Sequence, residues 1–113
     1  MIDLQQQVCN PDLAHALRNL KVKQDSLWWY DCNNDLSLNG LETGGGQWAI
    51  SAFTVAELGH LLAPYGGCTK HGCGYWYAFH EGFIHTDTKD ENEANARARL
   101  LIFLIKDNQI ILD

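Results

Sequence analysis

Thr54-Val55-Ala56-Glu57 and Thr88-Lys89-Asp90-Glu91 carry the same helix-start signal on either side of an aromatic segment, Tyr75 to Thr86. In each, the threonine hydroxyl can accept from the backbone N–H three residues on, while the glutamate reaches back to the threonine's own N–H. This reading predicts a helix from Thr54 to about Leu62, stopped before Pro64, and a last helix beginning at Thr88. The last helix carries Ala94, Ala98, Leu101 and Ile105 at helical spacing and is broken by Asp107-Asn108. Between the two, Tyr75–His80 and Phe83–Thr86 flank Glu81-Gly82, a two-residue connection ending in glycine that reads as a β-hairpin.

Working toward the N-terminus, Phe53 precedes the first capping box and pairs in spacing with Leu58 as a hydrophobic staple. Gln47-Trp48-Ala49-Ile50 and Leu27-Trp28-Trp29-Tyr30 lack helical periodicity and read as strands, with Asp31 to Gly46 a long polar connection between them. Asn10-Pro11-Asp12 starts another helix, with Asn as cap, Pro at the first helical position and Asp near the positive end of the dipole. Leu13, Ala16, Leu17 and Leu20 give it an apolar stripe, and at the far end Ile110-Ile111-Leu112 reads as a short strand or a docked tail. The expected architecture is therefore α+β, in the order α-β-β-α-β-β-α. It comprises one domain over residues 1–113, with three helices and a four-stranded, mainly antiparallel sheet. Trp76, with Trp28 or Trp29, is expected in the core against Leu58, Leu62, Leu101 and Ile105.

The formal charge of −6, from 14 acidic against 8 basic residues, sets up a field that repels phosphate backbones and permits a basic protein partner. Direct nucleic-acid binding is disfavoured. The N-terminal residues show no basic-then-apolar signal segment, and the longest apolar run, Leu100–Ile105, is far below the roughly 20 residues of a membrane span. The expectation is a cytoplasmic protein without a membrane partner, whose four cysteines are thiols.

Three constellations could carry chemistry. Cys68, His71 and Cys73 place zinc-ligand types in one glycine-flanked loop, so zinc is a possible cofactor; a structural site would still need a fourth ligand from elsewhere. Oxygen-bearing residues from Asp31 to Glu42 follow the calcium-loop spacing, but Leu36 stands where the tight turn needs glycine, which makes calcium a poor expectation. A cysteine–histidine hydrolase has all its residue types here and no local signature, so catalytic residues are not assigned. The aromatic strands raise a different question. Alternate residues point to opposite faces, so Trp28 and Trp29 cannot share a face, nor can Tyr75 and Tyr77 share one with Trp76. Trp28, Trp29, Tyr75 and Tyr77 are accordingly the interface candidates.

Phe53-Thr54-Val55-Ala56-Glu57-Leu58-Gly59, the aromatic hairpin, and Asp87-Thr88 leading into Glu93-Ala94-Asn95-Ala96-Arg97-Ala98-Arg99 resemble a class of small uncharacterised proteins of bacteriophages and prophages. The resemblance spans the region from Asp25 to Ile105 and leaves out the Cys68–Cys73 loop. It implies no activity or ligand set. The function it suggests is that of a non-enzymatic accessory protein that binds a host protein in the host cytoplasm, such as a component of a CRISPR defence system. The alternatives are a zinc-stabilised domain or a small cysteine-centred enzyme.

Overall fold

Local capping chemistry sets most of the helix boundaries. In the computed structural model, which describes residues 7–31, 33–38, 50–70, 72 and 74–112, α1 spans Pro11–Asn19, and the Asn10 side chain accepts from the Leu13 N–H at 2.9 Å. Helix α2 spans Val55–Leu62. Its capping box closes in both directions, Glu57 N–H to Thr54 Oγ1 at 3.2 Å and Thr54 N–H to Glu57 Oε1 at 2.9 Å. Helix α3 runs Glu93–Lys106 and ends at Asp107, as the Asp-Asn break predicts.

The strands depart from expectation. Instead of one four-stranded sheet, two three-stranded antiparallel sheets form among the described residues. In the first, β1 (Trp28–Tyr30) lies between β2 (Leu36–Leu38) and β3 (Ile50–Ala52). In the second, β5 (Trp76–His80) lies between β4 (Gly66–Lys70) and β6 (Phe83–Asp90). Each sheet recruits a strand from a stretch read as loop. Strand β2 exists because the polar connection begins with a tight turn: Asp31 Oδ1 accepts from the N–H groups of Asn33 and Asp35, and Asn34 takes the left-handed conformation at φ 62°. That turn also commits the first carboxylate of the calcium-type loop. Strand β4 has little intrinsic strand propensity, and its glycines serve close approach: a Cβ built on Gly66 would fall on the carbonyl oxygen of Phe79. Of the expected strand Gln47–Ile50, residues 47–49 lie outside the described residues, and Ile50 opens β3.

The second threonine signal is overruled. Thr88 lies inside β6, almost fully buried, and α3 is capped by Asn92, whose side chain accepts from the Asn95 N–H at 3.1 Å. The reason is a register irregularity between Trp76 and Ala78 that would leave the Ala78 N–H unpaired in a buried place. Thr88 Oγ1 accepts from that N–H at 2.8 Å and donates to the His85 carbonyl at 2.6 Å.

Buried residues from all three helices and both sheets form one cluster. Helix α3 lies at its centre, touching α1, α2 and all three strands of the second sheet. The expected tryptophan core is corrected. On β5 it is Ala78, two residues along the same face, that sits fully buried, while Trp76 at the strand end is half-buried beside the Lys70 amine. Packing a helix this close to a central strand favours a methyl over an indole. In β1 the buried aromatic is Tyr30, whose hydroxyl donates to the Cys9 carbonyl at 2.7 Å. Trp28 packs on the core's edge, and Trp29 turns its indole N–H to the Ser26 carbonyl at 2.9 Å. After α3 the chain docks as a tail, the Gln109 and Ile110 N–H groups both bonding the Leu104 carbonyl. Among the described residues no helix is long and apolar enough to cross a membrane.

Candidate functional site

The β4–β5–β6 sheet has two faces of different character, set by strand alternation. Cys68, Ala78 and His85 pair across it and point to one side. There α3 covers them: the Phe103 ring lies 4.9 Å from the ring of His85, and the charges of Arg97 and Glu93 act on Cys68. The other side carries Tyr77 and Phe79 on the central strand, with Ile84 directly across from Phe79. The ring of Phe79 rests over Gly67, where a Cβ would meet it at 3.0 Å. None of the three is buried, and Ile84 is 47% exposed. At the hairpin tip Glu81 and Gly82 both take positive φ, the geometry of a two-residue turn matched to strand twist, and Phe83 projects into solvent.

Of the four interface candidates, Tyr77 lies on this open face, and Tyr75 precedes it by two residues in the same alternation. Tyr75 lies just before β5, its ring 4.3 Å from the Lys89 amine, and Trp28 and Trp29 belong to the other sheet. Phe79 and Ile84 complete the patch. Period-2 alternation from Tyr77 identifies them once the hairpin is oriented.

The metal candidates do not assemble among the described residues. Cys68 sits inside β4 rather than in a loop, while His71 and Cys73 lie outside those residues. Among the described residues no three His, Cys, Asp or Glu side chains are placed to hold a metal ion. The two described thiols are poor nucleophiles. Burial pushes Cys9 up from its ordinary 9.0 to about 12, and burial pushes Cys68 to about 11, with Arg97 pulling the other way. Only the thiolate attacks, so both are suppressed near neutral pH.

The same shifts set a pH dependence. Acidic groups whose folded pKa is raised hold their protons in the native state while the unfolded chain releases them. The associated stability is present below about pH 9 and is lost as pH climbs toward 11–12. Tyr30, raised by burial and by Cys9, acts in the same direction above its ordinary 10.0. Urea midpoints measured from about pH 8 upward are expected to decline past about pH 9 and to decline less steeply in Cys9→Ala. A flat profile would contradict the burial of these groups.

No protein-family model, curated protein or solved structure matches this chain.

Proposed function

We propose that this chain is a non-enzymatic accessory protein of the phage or prophage type that works by binding another protein through the open face of the β4–β5–β6 sheet. The observation that carries the reading is the asymmetry of that sheet: α3 lies against one side, and on the other Ile84 is exposed while Tyr77 and Phe79 are half-buried. Antiparallel sheets commonly leave one face solvated, but that face is then polar. An aromatic and aliphatic surface there is instead the composition of an interface core. The net charge of −6 favours a basic partner. The phage affiliation, and a host defence component such as a CRISPR effector as the target, rest on the sequence resemblance.

The test compares wild type with Tyr77→Ala/Ile84→Ser in quantitative binding to candidate host defence proteins, with circular dichroism as the folding control. Loss of hot-spot contacts worth about 2 kcal/mol or more is expected to weaken binding at least about 30-fold. Equal affinity of the two folded proteins for a captured partner would place the interface elsewhere. A monomer that binds none of them would remove the reading.

A further inference from the structure

Helix α2 forms one wall of a cleft of about 450 Å³ on a different part of the molecule, between the helix, the Val22–Asp25 segment and the C-terminal Leu112. The chain builds it in three steps. After α1 the backbone reverses at Lys21, which takes φ 73°, and the Val22 N–H bonds back to the Leu17 carbonyl. Val22 and Phe53, both nearly inaccessible, then form the base, and Ala56 and Leu61 line the helical side. The tail anchored on Leu104 brings Leu112 to close the remaining edge.

The charged groups of the lining are hydrated or bonded to backbone, the Lys23 and Asp25 side chains being 88% and 78% exposed. Glu57 spends one carboxylate oxygen on the Thr54 N–H at 2.9 Å and the other on the Leu27 N–H at 3.0 Å. Lys23 and Asp25 face each other at 4.0 Å. His60 is left as the one lining side chain with a polar group that makes no hydrogen bond or ion pair among the described residues. An apolar concavity of this volume, within the range of about 300–1,000 Å³ typical of ligand sites, favours a neutral ligand, because an ion seated against its apolar walls would lose hydration with no buried countercharge to replace it. An anion would meet Glu57, Asp25 and the net charge of −6, and a cation would give up hydration against the apolar walls for an Asp25 carboxylate whose side chain is 78% exposed. We propose that this cleft binds a neutral, predominantly apolar small molecule, oriented by a single hydrogen bond to His60.

The probe is N-phenyl-1-naphthylamine, a neutral apolar fluorophore, titrated into the full chain beside its anionic relative anilinonaphthalene sulfonate. Saturable one-to-one binding of the neutral dye is expected, at least about tenfold tighter than that of the sulfonate. Ala56→Trp, at an exposed helical position, fills the cleft and is expected to weaken the neutral dye at least about tenfold, with no change in Ile84→Ser on the open sheet face. Leu61→Asp, at a position 39% exposed, replaces it should the tryptophan variant not fold. Absence of saturable binding, equal affinity for the sulfonate, or loss of binding in Ile84→Ser rather than in the cleft variant overturns the proposal.

Discussion

Replacing Leu104 by alanine is expected to lower the unfolding free energy by about 2–5 kcal/mol, read from urea denaturation. Leu104 is fully buried on the helix that touches α1, α2 and the whole second sheet, so little around it is free to collapse into the space a truncated side chain leaves. Its carbonyl also holds the Gln109 and Ile110 N–H groups, although those bonds survive the substitution. The neighbouring Phe103 provides the contrast: it is 38% exposed, with its ring 4.9 Å from the ring of His85. Phe103→Ala is expected to cost less than Leu104→Ala, because more than a third of its surface already lies in water in the folded state. Equal losses at the two positions would mean that the α3 face is misassigned. The loss at Leu104 is a large share of the roughly 5–15 kcal/mol that stabilises a domain.

Gly66→Ala is the second large effect. A methyl there would land on the carbonyl oxygen of Phe79, a backbone atom that cannot swing aside as a side chain end would. The β4 and β5 strands must separate, and overpacking of this kind costs about 1–3 kcal/mol or more. Hydrogen exchange should then show the loss concentrated in the β4 amides, the edge of the sheet, before the β5–β6 hairpin. Gly72→Ala is the control. Its Cβ would meet nothing within 4 Å, so the substitution is expected to be neutral or to stabilise by up to about 1 kcal/mol through the unfolded chain. A destabilisation by Gly66→Ala no greater than that by Gly72→Ala would show that β4 does not pair with β5 as described.

The proposed binding surface was partly legible in the chain and partly hidden. Tyr77 is identifiable from alternation within an aromatic run, and Phe79 and Ile84 follow from it by the same period once Glu81-Gly82 is read as a tight turn. Which face α3 takes is not written there, because the alternation puts aromatic rings on both sides, Trp76 on one and Tyr77 and Phe79 on the other. The cleft was not legible at all. Its walls come from residues 22–25, 53–61 and 112, which acquire a common boundary only when α2 and the C-terminal tail dock.

What the amino-acid order determined by itself is everything settled within about four residues: the Asn10 cap of α1, the closed box of α2, the two-residue hairpin turn, the stop of α3 at Asp107. Those features exchange hydrogen bonds between near neighbours, so no distant group is needed to complete them. Tertiary structure decided the remainder. Thr88 satisfies the local rule for a helix cap, yet the Ala78 N–H across the hairpin has no other acceptor in a buried position, and Thr88 supplies it while Asn92 caps α3 instead. Gly66–Lys70 becomes a strand because its missing side chains let it lie against Phe79, a partner 13 residues from Gly66. A local signal holds only until a distant buried group makes a stronger claim on the same atom, and leaving such a group unpaired costs more than moving a helix start by one turn.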